Sequence, residues 1–295
     1  MKNLSETAQA NRVSALSIVA NTVLTAFKLI VGFVSNSAAM ISDAIHSASD
    51  VLSTVAVIAG INMSAKESDD GHQYGHERIE AIVSMLLAII LFATGIYIGY
   101  CGIVKVITKE YASDTLPGTL ALVAAVISII TKEAMYQWTK IVAKRIKSTA
   151  LMADAWHHRS DALSSIGAFV GIFAARHGYP IGDPIASIVI CIFIAKAAWD
   201  IFFDAVNRLI DRACDDETIE KMRETIMNEE GVIVIDDLKT RLFGSKIYVD
   251  VEIGADGDLS LYDAHAIAQC VHEKIEEKFP DVKHIMVHVN PKNIK

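Results

Sequence analysis

One pattern of aspartate and histidine residues occurs twice in the chain. Residues 43–54 read DAIHSASDVLST and residues 154–165 read DAWHHRSDALSS. The spacing places the polar side chains of each copy on one face of a helix. Histidine together with carboxylate is a ligand set for divalent metal ions. The repeat therefore predicts metal chemistry at its recurring positions, which are Asp43, His46 and Asp50 in the first copy and Asp154, His157 and Asp161 in the second.

Both copies lie in apolar stretches long enough to be buried in lipid. Ionisable groups at membrane depth are costly and usually mark an ion or proton pathway. If the two helices are antiparallel neighbours, His46 lies level with Asp161 and Asp50 lies level with His157, because residues four apart differ in depth by about 6 Å. These four residues then form one tetrahedral transport site without thiolate, which suits Zn²⁺ and also Cd²⁺, Fe²⁺ or Co²⁺.

The third members of the two copies lie on opposite sides of this site. Asp43 lies about 4.5 Å toward one mouth and Asp154 about 4.5 Å toward the other, so we predict that both line the pathway. His158 is rotated about 100° from His157 and is expected to be an interhelical or vestibule residue. A helix-to-helix hydrogen bond explains a single membrane histidine well, but it explains two matched copies poorly.

The composition is that of a membrane protein. The chain has 295 residues, of which 52% are hydrophobic and 21% are charged, and its mean hydropathy is +0.36. The net charge of −8 argues against a nucleic-acid partner. The four cysteines form no CxxC pair, and the polar N-terminus does not indicate a removed signal peptide.

Six apolar stretches have the length needed to cross about 30 Å of hydrocarbon. They span residues 13–34, 37–63, 79–107, 116–138, 149–175 and 181–208. Lysine and arginine residues concentrate on one side of these spans, so we expect both termini in the cytoplasm and the protein in the inner (plasma) membrane. Other polar residues on the apolar helices are assigned to snorkelling or buried pairing; they are Asn21, Lys28, Lys132, Glu133 and Lys196.

Hydropathy falls after the sixth span, which predicts two domains. Residues 1–212 form the six-helix transmembrane domain, and residues 213–295 form a small cytoplasmic α+β domain. The periodicity of the second domain predicts helices at 216–230 and 261–279 and strands at 232–241, 246–253 and 282–289. This αββαβ order is typical of a two-layer domain, with turns at Gly244-Ser245 and Asp256-Gly257.

A second cluster lies between the second and third spans. Residues 69–80 read DDGHQYGHERIE, and the spacing of Asp69, His72 and His76 allows three ligands to meet where a loop enters a helix. Three protein ligands and a water make a weaker Zn²⁺ site. The alternative is a solvated polar loop. The segment is not HExxH, so an intramembrane metalloprotease is disfavoured.

These features together resemble the cation diffusion facilitator family of divalent-metal/proton antiporters. The resemblance rests on the six spans, HxxxD on the second and fifth, the DDxHxxGHxxxE loop, Asp183-Pro184 at the start of the sixth, and the αββαβ domain. It implies alternating access and a homodimer whose metallochaperone-like C-terminal domains pack together. It also implies the same transport and loop sites, and a pairing of Arg78 with Asp211 that holds the dimer's helices at the junction with the soluble domain.

The C-terminal domain departs from the family pattern. Some bacterial members build a two-metal site there mainly from histidine, whereas the matching positions here are Asp236, Asp250, His265, His288 and Asn290. Carboxylate and amide groups replace imidazole at three of these five places. Two possibilities stay open, namely weak metal binding by Asp236, Asp250, His265 and His288, or dimerisation by packing alone.

The sequence predicts a metal exporter, not an enzyme, whose metal is its substrate and which needs no organic cofactor. An imidazole with a pKa of about 6.5 can hold a proton when metal is absent, and metal requires the neutral form, so ion and proton compete. The resemblance implies Zn²⁺, because histidine on the second span matches the zinc-type members of the family, with a manganese or iron exporter of the same family as the alternative. A passive metal channel or sensor is an alternative of a different class. A metal-dependent enzyme ranks lowest, because no spare acid stands level with the four ligands.

Overall fold

A computed structural model describes residues 5–34, 38–109, 119–176, 179 and 181–293 of the chain. Inside these ranges, the side chains of residues 38–46 and of some other helical positions are not described. The chain divides into two compact units, Met1–Val206 and Asn207–Lys295. The predicted domain boundary between residues 212 and 213 stays a prediction.

Long helices make up most of the first unit. They are α1 (Glu6–Val34), α2 (Ala38–Ser64), α3 (Arg78–Thr108), α4 (Thr119–Arg145), α5 (Thr149–Arg176) and α6 (Gly182–Leu209). The helix α4 continues beyond the predicted span because its last turn ends in two basic residues that complement the helix dipole. Among the described residues, Glu6–Val31 and Arg78–Thr108 are long and apolar enough to cross a membrane. The total of six membrane spans stays a prediction.

Packing against α6 sets the rotation of α5. Ile194 of α6 belongs to a buried apolar cluster against which Trp156 and Leu163 of α5 pack. Trp156 and Leu163 are seven residues apart and share one face of the helix. His157 and Asp161 are four residues apart and share a different face. The apolar contacts therefore determine where α5 presents its polar residues.

The close approach of α3 and α6 depends on glycine. A Cβ atom at Gly99 would lie 2.5 Å from Sγ of Cys191, and one at Gly102 would lie 2.9 Å from the backbone oxygen of Pro184. Small residues let membrane helices approach closely. A side chain at either glycine would push α6 away from α3.

A second apolar cluster joins α1 to α5. Its buried members are Ala10, Val13, Val57, Ile61, Leu87, Val142, Ala143, Ile146, Ala150, Leu151 and Ala153. Three of the helices that meet here also carry Asp50, Lys132 and His157. The cluster thus holds α2, α4 and α5 together next to the segment where their polar residues meet.

The second unit combines helices with a small sheet. Its described elements are α7 (Asp216–Met227), β1 (Val234–Phe243), β2 (Lys246–Asp256), α8 (Leu261–Lys278) and β3 (Val282–Lys292). The predicted αββαβ order is confirmed. The central strand β2 pairs antiparallel with β1 and parallel with β3. Gly244, with φ of 62°, lies in the predicted hairpin turn between β1 and β2.

The helices of this unit cover one face of the sheet. Val249, Val251 and Ile253 of β2 are buried in a core shared with α7 and α8. Asp250 and Glu252 between them are exposed, because successive side chains of a strand point to opposite faces. The charged residues of β2 therefore lie on the face away from the helices.

Candidate metal site

Three of the four predicted transport-site residues come together. Asp50 of α2 and His157 and Asp161 of α5 each offer a ligand atom, and these atoms lie within 4.8 Å of one another. All three residues are buried, with 2%, 6% and 8% of their surfaces exposed. Nε2 of His157 lies 3.2 Å from Oδ1 of Asp50. This pairing agrees with the antiparallel register that the repeat predicts.

The side chains of His46 and Asp43 lie outside the described residues. On the described backbone of α2, His46 precedes Asp50 by about one turn and shares its face. His46 as a fourth ligand and Asp43 as a pathway residue stay predictions.

A lysine side chain lies inside the cluster. Lys132 of α4 is 2% exposed, and its ammonium group donates hydrogen bonds to Oδ2 of Asp50 at 2.6 Å and to Oδ2 of Asp161 at 2.8 Å. The apolar pattern alone assigns Lys132 to snorkelling or buried pairing and does not connect it with the transport site. The sequence contains one clue to this contact. A buried lysine needs a carboxylate partner, and the two repeat copies supply aspartates on neighbouring helices.

Asp154 is fully buried one turn before His157 on α5. Its Oδ1 accepts a hydrogen bond from the Thr54 hydroxyl of α2 at 3.1 Å, and its Oδ2 lies 3.6 Å from Nε2 of His158. Thr54 is not among the predicted site residues, although it is the last residue of the first repeat copy. Asp154 thus makes a second polar contact between α2 and α5. Its role in the pathway stays a prediction.

Other charged residues of these helices are paired. Lys28 of α1 donates a hydrogen bond to Oγ of Ser47 at 2.9 Å. Glu133, next to Lys132 on α4, accepts a hydrogen bond from the Arg159 guanidinium of α5. These contacts tie α1 to α2 and α4 to α5 around the cluster.

The loop between α2 and α3 brings Asp69, His72 and His76 together. Their ligand atoms lie within 4.8 Å of one another. Nδ1 of His72 is 3.4 Å from Oδ1 of Asp69, and Nε2 of His76 is 3.5 Å from Oδ2. The carboxylate also accepts hydrogen bonds from the backbone N–H groups of Gly71 and His72, which closes the turn. The metal-binding role of this loop stays a prediction.

Lys66 supplies a cation to the loop cluster. Its ammonium group donates a hydrogen bond to Oδ2 of Asp69 at 2.7 Å, and its side chain is 62% exposed. Lys66 and the backbone N–H of His72 hold the pKa of the Asp69 carboxyl well below its usual range. Asp69 is therefore ionised at neutral pH and well below it.

The C-terminal candidates do not form a three-ligand group among the described residues. Asp236 lies in a bulge of β1, where its carboxylate accepts hydrogen bonds from Nζ of Lys292 at 2.8 Å and Nδ2 of Asn290 at 2.9 Å. Both donors lower the pKa of Asp236. Metal binding here, within one chain or between two, stays a prediction beside dimerisation by packing alone. The other three candidates, all exposed, are Asp250, His265 and His288.

The pairing of Arg78 with Asp211 also stays a prediction. Arg78 is the first residue of α3 in the first unit. Asp211 follows α6 in the second unit, and its φ of 63° is the left-handed conformation that commonly ends a helix.

Two family models match the chain. The cation efflux transmembrane domain matches residues 14–210, and the cation efflux protein cytoplasmic domain matches residues 214–292. These matches define the class as a cation efflux transporter with a transmembrane domain followed by a cytoplasmic domain. The chain belongs to the cation diffusion facilitator family of divalent metal efflux proteins, which confirms the resemblance.

Several curated relatives match over almost the whole chain. The transporter YdbO of Bacillus subtilis is 36% identical over 282 residues, covering 95% of both chains. The manganese efflux system protein MneP of the same organism is 33% identical over 289 residues, covering 96% of both. The magnetosome protein MamB of a Magnetospira species is 31% identical over 92% of this chain and 91% of its own. The solved structure MamM-CTD is 23% identical, covers 26% of this chain and 100% of its own, and has a TM-score of 0.26.

Proposed function

We propose that this protein exports a divalent metal cation in exchange for protons by alternating access, with Zn²⁺ as the favoured substrate. The observation that carries the proposal is the buried cluster of Asp50, His157 and Asp161, whose ligand atoms from two helices lie within 4.8 Å of one another. Ionisable groups buried in a transmembrane domain are costly and mark ion pathways. His46 completes the set as the fourth ligand.

The ligand types favour zinc. Imidazole nitrogen and carboxylate oxygen without thiolate suit Zn²⁺ in four-coordinate geometry. Manganese is the second candidate, because the relative MneP is a manganese efflux protein and carboxylate oxygen suits Mn²⁺. Transport rates measured in proteoliposomes with Zn²⁺, Cd²⁺, Fe²⁺, Co²⁺ and Mn²⁺ in turn decide between zinc and manganese. A higher transport rate with Mn²⁺ than with Zn²⁺ would overturn the assignment of zinc.

Proton exchange follows from the chemistry of the ligands. Metal binds deprotonated imidazole and carboxylate, so binding releases protons and protonation releases metal. Inward movement of protons can therefore drive outward movement of metal when the site opens to each side in turn. A passive channel with the same ligands would conduct metal without proton counterflow.

We further propose that the protein is a homodimer in the inner membrane with both termini in the cytoplasm. The match of residues 214–292 to a cytoplasmic domain supports this location for the C-terminus, and the lysine and arginine distribution supports it for the N-terminus. In this orientation the loop with Asp69, His72 and His76 faces the cytoplasm. It would receive metal ions before they enter the transport site.

Reconstituted protein tests the transport proposal. Zinc is loaded on one side of proteoliposomes, and metal and pH are followed together for the parent and for His157→Ala. We expect an imposed pH gradient to drive zinc movement in the parent and not in His157→Ala. Zinc flux that is indifferent to the gradient would refute antiport, and flux without proton counterflow would favour a channel.

A further inference from the structure

The ammonium group of Lys132 contacts both of the carboxylates that we propose as metal ligands. Its Nζ is 2.6 Å from Oδ2 of Asp50 and 2.8 Å from Oδ2 of Asp161. Carboxylate oxygens hold zinc at about 2.0–2.2 Å. An ion that binds these two oxygens together therefore lies within about 4 Å of Nζ. Two cations so close together in a buried site repel each other strongly, so the ammonium group has to leave when the metal binds.

Lys132 and its two carboxylate partners are buried in the interior of the helical unit. The lysine is 2% exposed, and Asp50 and Asp161 are 2% and 8% exposed. Two buried carboxylates without a cation would repel each other and lack the hydration that they have in water. Lys132 gives each a hydrogen-bonded partner, while His157 meets the other oxygen of Asp50 at 3.2 Å. Lys132 thus compensates the charge of these carboxylates.

We propose that Lys132 is a resident cation of the transport site, which compensates the carboxylates when the site is empty and is displaced when a divalent ion binds. This inference rests on the proposed function, because it requires Asp50 and Asp161 to be metal ligands. Lysine suits the role because its ammonium group is a compact charge on a flexible four-carbon stem. The group can swing aside without a movement of the α4 backbone.

Displacement has consequences for affinity and for selectivity. Each metal ion has to compete with a cation that is already hydrogen-bonded to the ligands, so Lys132 lowers the affinity for metal. A monovalent ion carries no more charge than the ammonium group and gains little from the exchange. A divalent ion gains more, because its attraction to two carboxylates is larger.

A lysine with a purely structural role would behave differently. Such a lysine holds α2, α4 and α5 together with and without metal, and its removal weakens metal binding. A displaced lysine stabilises the metal-free protein alone, and its removal strengthens metal binding. Metal affinity and zinc-dependent stability therefore separate the two roles.

Isothermal titration of the full-length protein with Zn²⁺ in detergent tests the proposal. The variants are Lys132→Gln and Lys132→Met, with Lys140→Met as the control, since Lys140 lies on the same helix and bonds Tyr136 instead. Binding that persists in Asp50→Asn is subtracted as binding elsewhere. We expect both Lys132 variants to bind Zn²⁺ at least about tenfold more tightly, because a like charge has left the site, and Lys140→Met to match the parent. Unchanged or weaker binding by the Lys132 variants would overturn the proposal.

Thermal unfolding is a second test of the proposal. It can be used even when Lys132→Met is too unstable for titration. In EDTA we expect Lys132→Gln to unfold at a lower temperature than the parent, and saturating Zn²⁺ to raise its midpoint by more than it raises the parent's. An equal shift in the two proteins would contradict displacement. If Asp50→Asn binds Zn²⁺ like the parent, the proposed transport site itself is wrong. If Asp50→Asn loses binding while the Lys132 variants match the parent, the role of Lys132 alone is wrong.

Discussion

Two aspartate and histidine clusters of this chain have similar inner geometry and opposite surroundings. The ligand atoms lie within 4.8 Å of one another in both. Each cluster also holds an ammonium group against an aspartate, at 2.6 Å for Lys132 and Asp50 and at 2.7 Å for Lys66 and Asp69. The Lys132 side chain is 2% exposed, whereas that of Lys66 is 62% exposed. The same contact therefore has different energetic consequences, because water screens the loop pair and not the buried pair.

Residue spacing identifies both clusters, whereas burial distinguishes the energetic consequences of the contacts inside them. In the loop, the side chains of Asp69 and His72 are partly solvated, at 37% and 65% exposure, whereas that of His76 is 9% exposed. In the buried cluster, removal of one cation is unfavourable unless another replaces it. This difference fits the two proposed roles, which are capture of ions at the loop and exchange of one cation for another at the buried cluster.

The largest difference is expected in the stability of the metal-free protein when each lysine is removed. Lys132→Met leaves buried carboxylates without their cation, and the loss of one partner from a buried pair costs about 3–5 kcal/mol. Lys66→Met removes an exposed pair, and we expect a much smaller loss because water screens this pair. Chemical unfolding of both variants in EDTA measures the free energy of unfolding. Losses of similar size would show that burial does not distinguish the two clusters.

The next difference is expected in transport when one carboxylate of each cluster becomes an amide. Asp161→Asn removes the charge of a proposed ligand, and we expect the zinc flux to fall by more than about 100-fold, which exceeds the usual loss for residues that only support a ligand. Asp69→Asn affects a site that receives ions before transport, so we expect a loss of a few-fold. Proteoliposome flux at limiting zinc measures both. Equal losses would make the loop an obligatory part of the transport path.

The sequence predicted the members of the buried cluster better than it predicted their partner. The repeat and helix periodicity place Asp50, His157 and Asp161 among the predicted site residues, because periodicity shows which residues of one helix share a face. The partners of Lys132 lie 82 and 29 residues away from it in the chain. They depend on the rotation of α4 against α2 and α5. That rotation is set by apolar contacts between helices, which no local pattern encodes.

The same limit applies to the loop and to the C-terminal unit. Asp69 and His72 were predictable as neighbours, because turn aspartates bond backbone N–H groups a few residues on. The αββαβ order was predictable from the alternation of apolar residues. The pairing of Asp236 with Lys292 joins residues 56 positions apart and requires both the strand register and the bulge in β1. Sequence periodicity does not reveal either of these features.

The smallest expected effect is on the titration of Asp69. Lys66 and the backbone N–H of His72 hold the pKa of the Asp69 carboxyl below its usual range. Its contribution to stability is therefore fully present above the unfolded pKa of about 3.9, and it is lost as the pH falls through the lower folded pKa. Carbon-13 NMR of labelled aspartate should show Asp69 still ionised at about pH 4, where an ordinary aspartate is about half protonated.

Lys66→Met should move the pKa of Asp69 back toward its usual value, because Lys66 is the first cause of the shift. High salt should move it in the same direction in the parent, because exposed charges are screened within about 10 Å at 0.1 M salt. If Lys66→Met leaves the pKa of Asp69 unchanged, the backbone N–H groups alone stabilise this carboxylate. Lys66 would then not be an exposed counterpart of Lys132, and the comparison of the two lysines would fail.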